Sequence, residues 1–183
     1  MDTDSFKNYL TSFGKQVANR SKANLARAKG GKTNLGQTIK FSVTEEERGV
    51  FSVKFFMADY GEFLDKGVSG YAKTQSYKDF NNKVVSSPYN FKRNTPPIPP
   101  GILAKWVKKK GLKGRDKKSG RFITNLSLAF IIGRKIKRDG IKSLSFFQKP
   151  LGLGLKEFDK GMMETLKTEI NNTLAVTEAT RIM

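Results

Sequence analysis

Neither cysteine nor histidine occurs among the 183 residues. That removes disulfides, thiol nucleophiles, Cys/His zinc sites, iron–sulfur clusters and every catalytic arrangement built on Ser-His or Cys-His. Apolar residues never run uninterrupted for the ~20 positions needed to span a bilayer. The N-terminal stretch Met1–Leu10 carries Asp2 and Asp4 where a secretory leader carries basic residues, and it reads as soluble and unprocessed. Acidic side chains are also scarce: 16 Asp and Glu stand against 35 Lys and Arg, a formal net charge of +19.

The excess charge is concentrated. Residues 101–149 contain 15 basic and 2 acidic side chains, so this one segment supplies +13 of the +19. Such a field attracts polyanions, whether nucleic acid, an acidic protein surface or an anionic membrane. The candidate polyanion- or partner-binding residues are Lys108, Lys109, Lys110, Lys113, Arg115, Lys117, Lys118, Arg134, Lys135, Lys137 and Arg138. Hydrophobic residues make up 37% of the chain and 14 of them are Phe, enough for a packed interior in one domain of this length.

Periodicity predicts the elements. Phe6, Leu10, Phe13, Val17 and Leu25 form an apolar stripe over a helix from Asp4 to about Ala28, ended by Gly30-Gly31. Alternation over Ile39–Val43 and Val50–Met57, around a polar turn Glu45–Gly49, predicts a β-hairpin spanning roughly 37–57. Three adjacent glutamates in a turn point in divergent directions, so no metal site is expected there. After the second strand Tyr60, Phe63 and Leu64 share one side of a short helix, and Gly67 stands at its left-handed end. Asp59, Glu62 and Asp65 read as surface carboxylates balancing Lys66 rather than as acid–base groups.

Residues 68–100 show no sustained period and read as an irregular excursion with aromatic anchors. Pro96, Pro97, Pro99 and Pro100 make its end a stiff lead-in to the next helix, an SH3-type ligand being the alternative. That helix runs from Gly101 to about Lys110 with Leu103, Trp106 and Val107 on one face. A basic glycine-flanked loop over Lys113–Gly120 follows. A second helix, Thr124–Asp139, places Leu126, Ala129, Phe130, Gly133 and Ile136 on one side. Residues 141–147 suit a short strand or packed turn. A last helix from Phe158 to about Val176 is expected to bury Met162, Met163, Leu166, Ile170 and Leu174, with loose residues to Met183. The predicted fold class is α+β: a single domain in which a small antiparallel sheet is packed by an N-terminal helix and several C-terminal helices.

The order of these features resembles the tail-completion and head–tail joining proteins of tailed bacteriophages. The resemblance is carried by Thr33-x-Leu35-x-x-Thr38-Ile39 entering the hairpin and by Ala58-Asp59-Tyr60-Gly61-Glu62-Phe63-Leu64-Asp65-Lys66-Gly67 leaving it. It continues in the segments Pro100–Leu112 and Leu128–Ile141, followed by Phe146-Phe147, and covers about residues 5–150. It implies a structural, non-enzymatic virion protein of the neck or upper tail, assembled in the host cytoplasm as a homo-oligomeric ring. Its partners would be portal or connector and tail proteins, with DNA in the channel, no membrane and no cofactor or metal. Under that expectation Tyr60, Phe63, Leu64, Tyr71, Tyr77, Phe80, Tyr89 and Phe91 are subunit-interface candidates. The alternative reading of the basic residues is a non-specific nucleic-acid-binding protein.

Overall fold

The computed structural model describes residues 3–47 and 49–181, the side chains of Thr3, Glu169 and 172–181 excepted. The fold is mixed α+β, with six helices and small two-stranded antiparallel sheets among the described residues. Two compact units divide the chain: Met1–Gly61, Lys78–Lys83 and Ser145–Met183 in one, Glu62–Tyr77 and Val84–Leu144 in the other.

In the first unit the N-terminal helix α1 (Thr3–Lys29) buries Leu10, Phe13, Val17, Ala18 and Leu25, the stripe expected from the 3.6-residue period. The strand expected from about residue 37 begins later. Thr33 instead caps a short helix α2 (Asn34–Thr38), its hydroxyl accepting from Gly36 N at 3.0 Å. Leu35 and Ile39 enter the core, and Thr38 Oγ1 accepts from Ala58 N at 3.1 Å, tying this turn to the exit of the hairpin.

The hairpin pairs β1 (Lys40–Glu47) with β2 (Val50–Phe56), placing Phe41 opposite Phe55 and Val43 opposite Val53. The glutamates expected in the turn belong mostly to β1, which reaches Glu47 through an irregularity at Glu46. The exposed edge tolerates their charge, and Glu46 pairs with Lys54 at 2.7 Å. Gly49 makes the turn at φ +84°; Arg48 lies outside the described residues.

The last helix of the chain, numbered α6 because three others precede it after β2, runs Gln148–Arg181 and so starts ten residues before the expected Phe158 and outlasts Val176. Gly152 and Gly154 lie in this earlier start of α6. In the structure they are points of close approach: a Cβ on Gly154 would meet Phe13 at 2.9 Å and Val17 at 3.1 Å. Phe158 packs edge-on to Phe13 with centroids 5.0 Å apart, and its carbonyl accepts from Tyr9 Oη at 2.9 Å. Met162 and Leu166 are half-buried, whereas Met163 and Ile170 are exposed, because only one side of α6 meets α1. Leu174 lies outside the described side chains.

The second unit begins at Glu62, within α3 (Tyr60–Lys66), which ends at Gly67 with φ +74°, the left-handed closure its sequence predicts. Asp65 is buried, contrary to its reading as a surface carboxylate. Residues 68–100 are more ordered than their lack of period suggests. β3 (Val68–Ser69) pairs antiparallel with β6 (Gly140–Ile141), and Ser69 also bridges Asn90. β4 (Ser76–Lys78) pairs with β5 (Val84–Ser86). The rest is tied by backbone bonds such as Ser69 N to Tyr89 O at 2.8 Å and by Gln75 Nε2 donating to Asp139 O at 2.6 Å.

Helices α4 (Pro100–Lys109) and α5 (Asn125–Asp139) pack antiparallel, since Gly133 meets Leu103 and Ile98 while Gly114, just past α4, meets Leu128. Val107, Ala129 and Gly133 are buried in this contact. Trp106, Leu126 and Phe130, though spaced with the apolar side of their helices, are exposed (44, 58 and 47%). The buried stripe of α5 is rotated toward Ala129 and Gly133 because those small residues let α4 approach closely.

Candidate polyanion-binding surface

The single basic segment of the sequence resolves into two surfaces. Lys108, Lys109 and Lys110 end α4, and Lys113, Arg115, Lys117 and Lys118 lie on the loop beyond it. Arg134, Lys135, Lys137 and Arg138 occupy the last turns of α5. Because the helices are antiparallel, the groups lie at opposite ends of the pair, and the nine residues from Leu128 to Lys137 correspond to about 14 Å of helix.

Two of these cations are already engaged. Lys137 Nζ donates to the carbonyl of Arg93 at 2.7 Å and to that of Thr95. Arg138 forms a two-point bond with Asp139, Nε to Oδ1 at 2.7 Å and Nη2 to Oδ2 at 3.0 Å, which raises its own pKa and lowers that of the carboxylate. Arg134 stacks near Phe130, 5.7 Å from the ring centroid. With Tyr71, Arg93, Pro97 and Lys137 these two line an open cleft of about 370 Å3.

The loop after α4 is a built hairpin. Arg115 bridges Phe122, Asp116 N donates to Arg121 O at 2.9 Å, and Ile123 N donates to Gly114 O at 3.0 Å. Asp116 closes the turn: its Oδ1 accepts from the amides of Ser119 (2.8 Å) and Lys118 (3.0 Å) and from the Ser119 hydroxyl (3.0 Å). These bonds, the Ser119 amide first, hold the carboxyl below the ordinary aspartate range. Gly120 follows at φ +65°.

Alternation sets the faces of this hairpin. Gly114 lies against Ile123 and Leu128, so the neighbouring Lys113 and Arg115 point away from α5. Phe122, opposite Arg115, joins them: its ring lies 4.5 Å from the Arg115 guanidinium carbon and 5.9 Å from Lys113 Nζ, and it is 61% exposed. Arg121 and Phe122 were missed in the sequence reading. Their signal is the alternation Lys-Gly-Arg and Arg-Phe-Ile flanking a turn from Asp116 to Gly120, which is a hairpin pattern.

The interface candidates divide by exposure. Tyr60, Phe63, Tyr71 and Phe80 are exposed, while Leu64, Tyr77, Tyr89 and Phe91 are half-buried. Phe63 meets Tyr89 edge-on at 4.6 Å, and Tyr89 Oη donates to Glu62. That hydrogen bond lowers the pKa of Glu62, which Lys66 at 3.4 Å lowers further, and raises that of Tyr89. The carboxylate Glu62 thus serves as an acceptor fixed inside its own unit. Among the described residues, no three metal-ligating side chains gather at one place, and no helix is long and apolar enough to cross a membrane.

No family profile, curated protein or solved structure matches this chain.

Proposed function

We propose that the chain is a structural, non-enzymatic subunit of the neck or upper tail of a tailed bacteriophage. It assembles in the host cytoplasm into a closed homo-oligomeric ring that joins the portal or connector to the tail and lets DNA pass. One observation carries this reading beyond the motif order: large apolar side chains stand in solvent at helical spacing. Ile102 and Trp106 are four residues apart on α4, and Leu126 and Phe130 are four apart on α5. Contiguous apolar stripes of this kind mark surfaces that a further protein copy covers. Tyr60 and Phe63 extend the same argument to α3, the most diagnostic part of the resemblance.

A ring needs heterologous contacts, one patch of each subunit against a different patch of the next, and a rotation that closes. Electron microscopy of the purified protein, alone and with connector and tail proteins, tests the reading. Closed rings of uniform diameter are expected. Monomers that join neither each other nor either partner refute it.

The hairpin around Phe122 favours a second reading, non-specific nucleic-acid binding, because strand alternation directs Lys113 and Arg115 to the face of the exposed Phe122 ring.

A further inference from the structure

We propose that the hairpin Lys113–Ile123 binds single-stranded nucleic acid, holding successive phosphates on its cations and one base against the ring of Phe122. The inference rests on the nucleic-acid reading above and gives it a site and a strand type.

Three observations carry it. First, the hairpin contains Lys113, Arg115, Lys117, Lys118 and Arg121 against one carboxylate, Asp116, which is held by its own turn. Asp116 Oδ1 accepts three hydrogen bonds from its own turn, and among the described residues the ion pairs involve none of these cations. Five basic side chains against one acidic leave a net charge of +4 on the hairpin. Second, Lys113 and Arg115 are alternate residues of one strand, so they project to the same side about 6.7 Å apart, a step suited to consecutive phosphates of an extended strand. Third, the ring on that side is exposed and already flanked by a guanidinium and an ammonium group.

An exposed aromatic among cations has no use against the phosphates of a closed duplex, whose bases present only their edges. It suits an unstacked base, since every base offers a π-face, and such stacking is sequence-tolerant. The same composition argues against a protein partner. Interface cores are depleted of charge and built on apolar area, and here one ring is flanked by two cations in a hairpin that carries five.

The test is fluorescence anisotropy of the full chain with a labelled oligo-dT and with a duplex of equal length, across a range of salt. Wild type should bind the single strand more tightly than the duplex. Phe122→Ala should weaken single-strand binding roughly tenfold and change duplex binding less than about twofold. Replacing both Lys117 and Lys118 by Gln should reduce the slope of log K against log salt by about 1.4, since each phosphate contact on a single strand contributes about 0.7. Lys29→Gln, in the other unit, controls for net charge, and circular dichroism confirms that each variant is folded. If wild type binds no oligonucleotide at low salt, both the hairpin and the nucleic-acid reading fall. If it binds but Phe122→Ala acts equally on both strands or on neither, the hairpin site alone is refuted. Binding to polyglutamate as tightly as to oligo-dT at equal ionic strength overturns the choice of nucleic acid over acidic protein.

Discussion

Replacing Gly14 by alanine should destabilise the protein, although the same change in most helices stabilises it. Gly14 lies in the middle of α1, where alanine is preferred by about 1 kcal/mol. A Cβ built there would lie 2.8 Å from Cε2 of Phe41 and 3.0 Å from its Cγ, well inside ordinary contact. The ring has little room to yield. Phe41 faces Phe55 at 6.4 Å, and Phe55 packs edge-on against Phe147 at 5.3 Å, so a shift of Phe41 disturbs the whole aromatic row. Overpacking of this kind costs about 1–3 kcal/mol. Set against the helix preference, the net loss should be about 1 kcal/mol. In a Phe41→Ala background the clash is gone, and Gly14→Ala should stabilise by about 1 kcal/mol. The sign therefore reverses, with a coupling energy of about 2 kcal/mol. Urea denaturation of the four proteins of this cycle, followed by circular dichroism, measures it. Equal effects of Gly14→Ala in both backgrounds would refute the packing of α1 on the hairpin.

Two further predictions concern the second unit. Val107 is fully buried between α4 and α5, and Val107→Ala removes two methyl groups and leaves a cavity, so it should cost about 2 kcal/mol. Trp106, the only tryptophan, reports unfolding of this helix pair by fluorescence, and an unchanged midpoint would contradict the α4–α5 core. Glu62 titrates below its ordinary 4.5 and Tyr89 above its ordinary 10.0. Their contact therefore stabilises fully above about pH 4.5, is lost as pH falls through the depressed Glu62 value, and is lost again as pH rises through the raised Tyr89 value. Carboxyl-detected NMR should show Glu62 moving back toward 4.5 in Tyr89→Phe, and an unmoved midpoint would remove the hydrogen bond from the account.

The elements that the sequence makes legible are those with a clean period. Leu10, Phe13 and Val17 mark α1, the alternation through Phe41, Val43, Val53 and Phe55 marks the hairpin, and Gly67 marks the end of α3. The misreadings share a cause: residues whose ordinary local meaning is overridden by a tertiary neighbour. The last helix starts at Gln148 rather than Phe158, and Gly152 and Gly154 stand in its first turns where Phe80 and Phe13 come too close for a side chain. Trp106 and Phe130 are spaced like core residues yet face solvent, because Val107, Ala129 and Gly133 make the closer helix contact. Residues 68–100 are held by single backbone and side-chain bonds, Ser69 to Tyr89 and Gln75 to Asp139 among them, and such bonds leave no periodic trace. The basic segment was visible as charge alone. Its division into two ends of a helix pair, and the engagement of Lys137 and Arg138, follow from antiparallel packing and from carbonyls distant in sequence.

The central claim is that exposed apolar stripes on α4, α5 and α3 are covered by further copies in a closed ring. Native mass spectrometry of the purified protein, alone and after mixing with connector and tail proteins, tests it most directly. One dominant species at a fixed integer multiple of 20.5 kDa is predicted, lost when Trp106 and Phe130 are together replaced by Ser while the 20.5 kDa chain remains folded. A single-chain mass at every concentration and with every partner would contradict it.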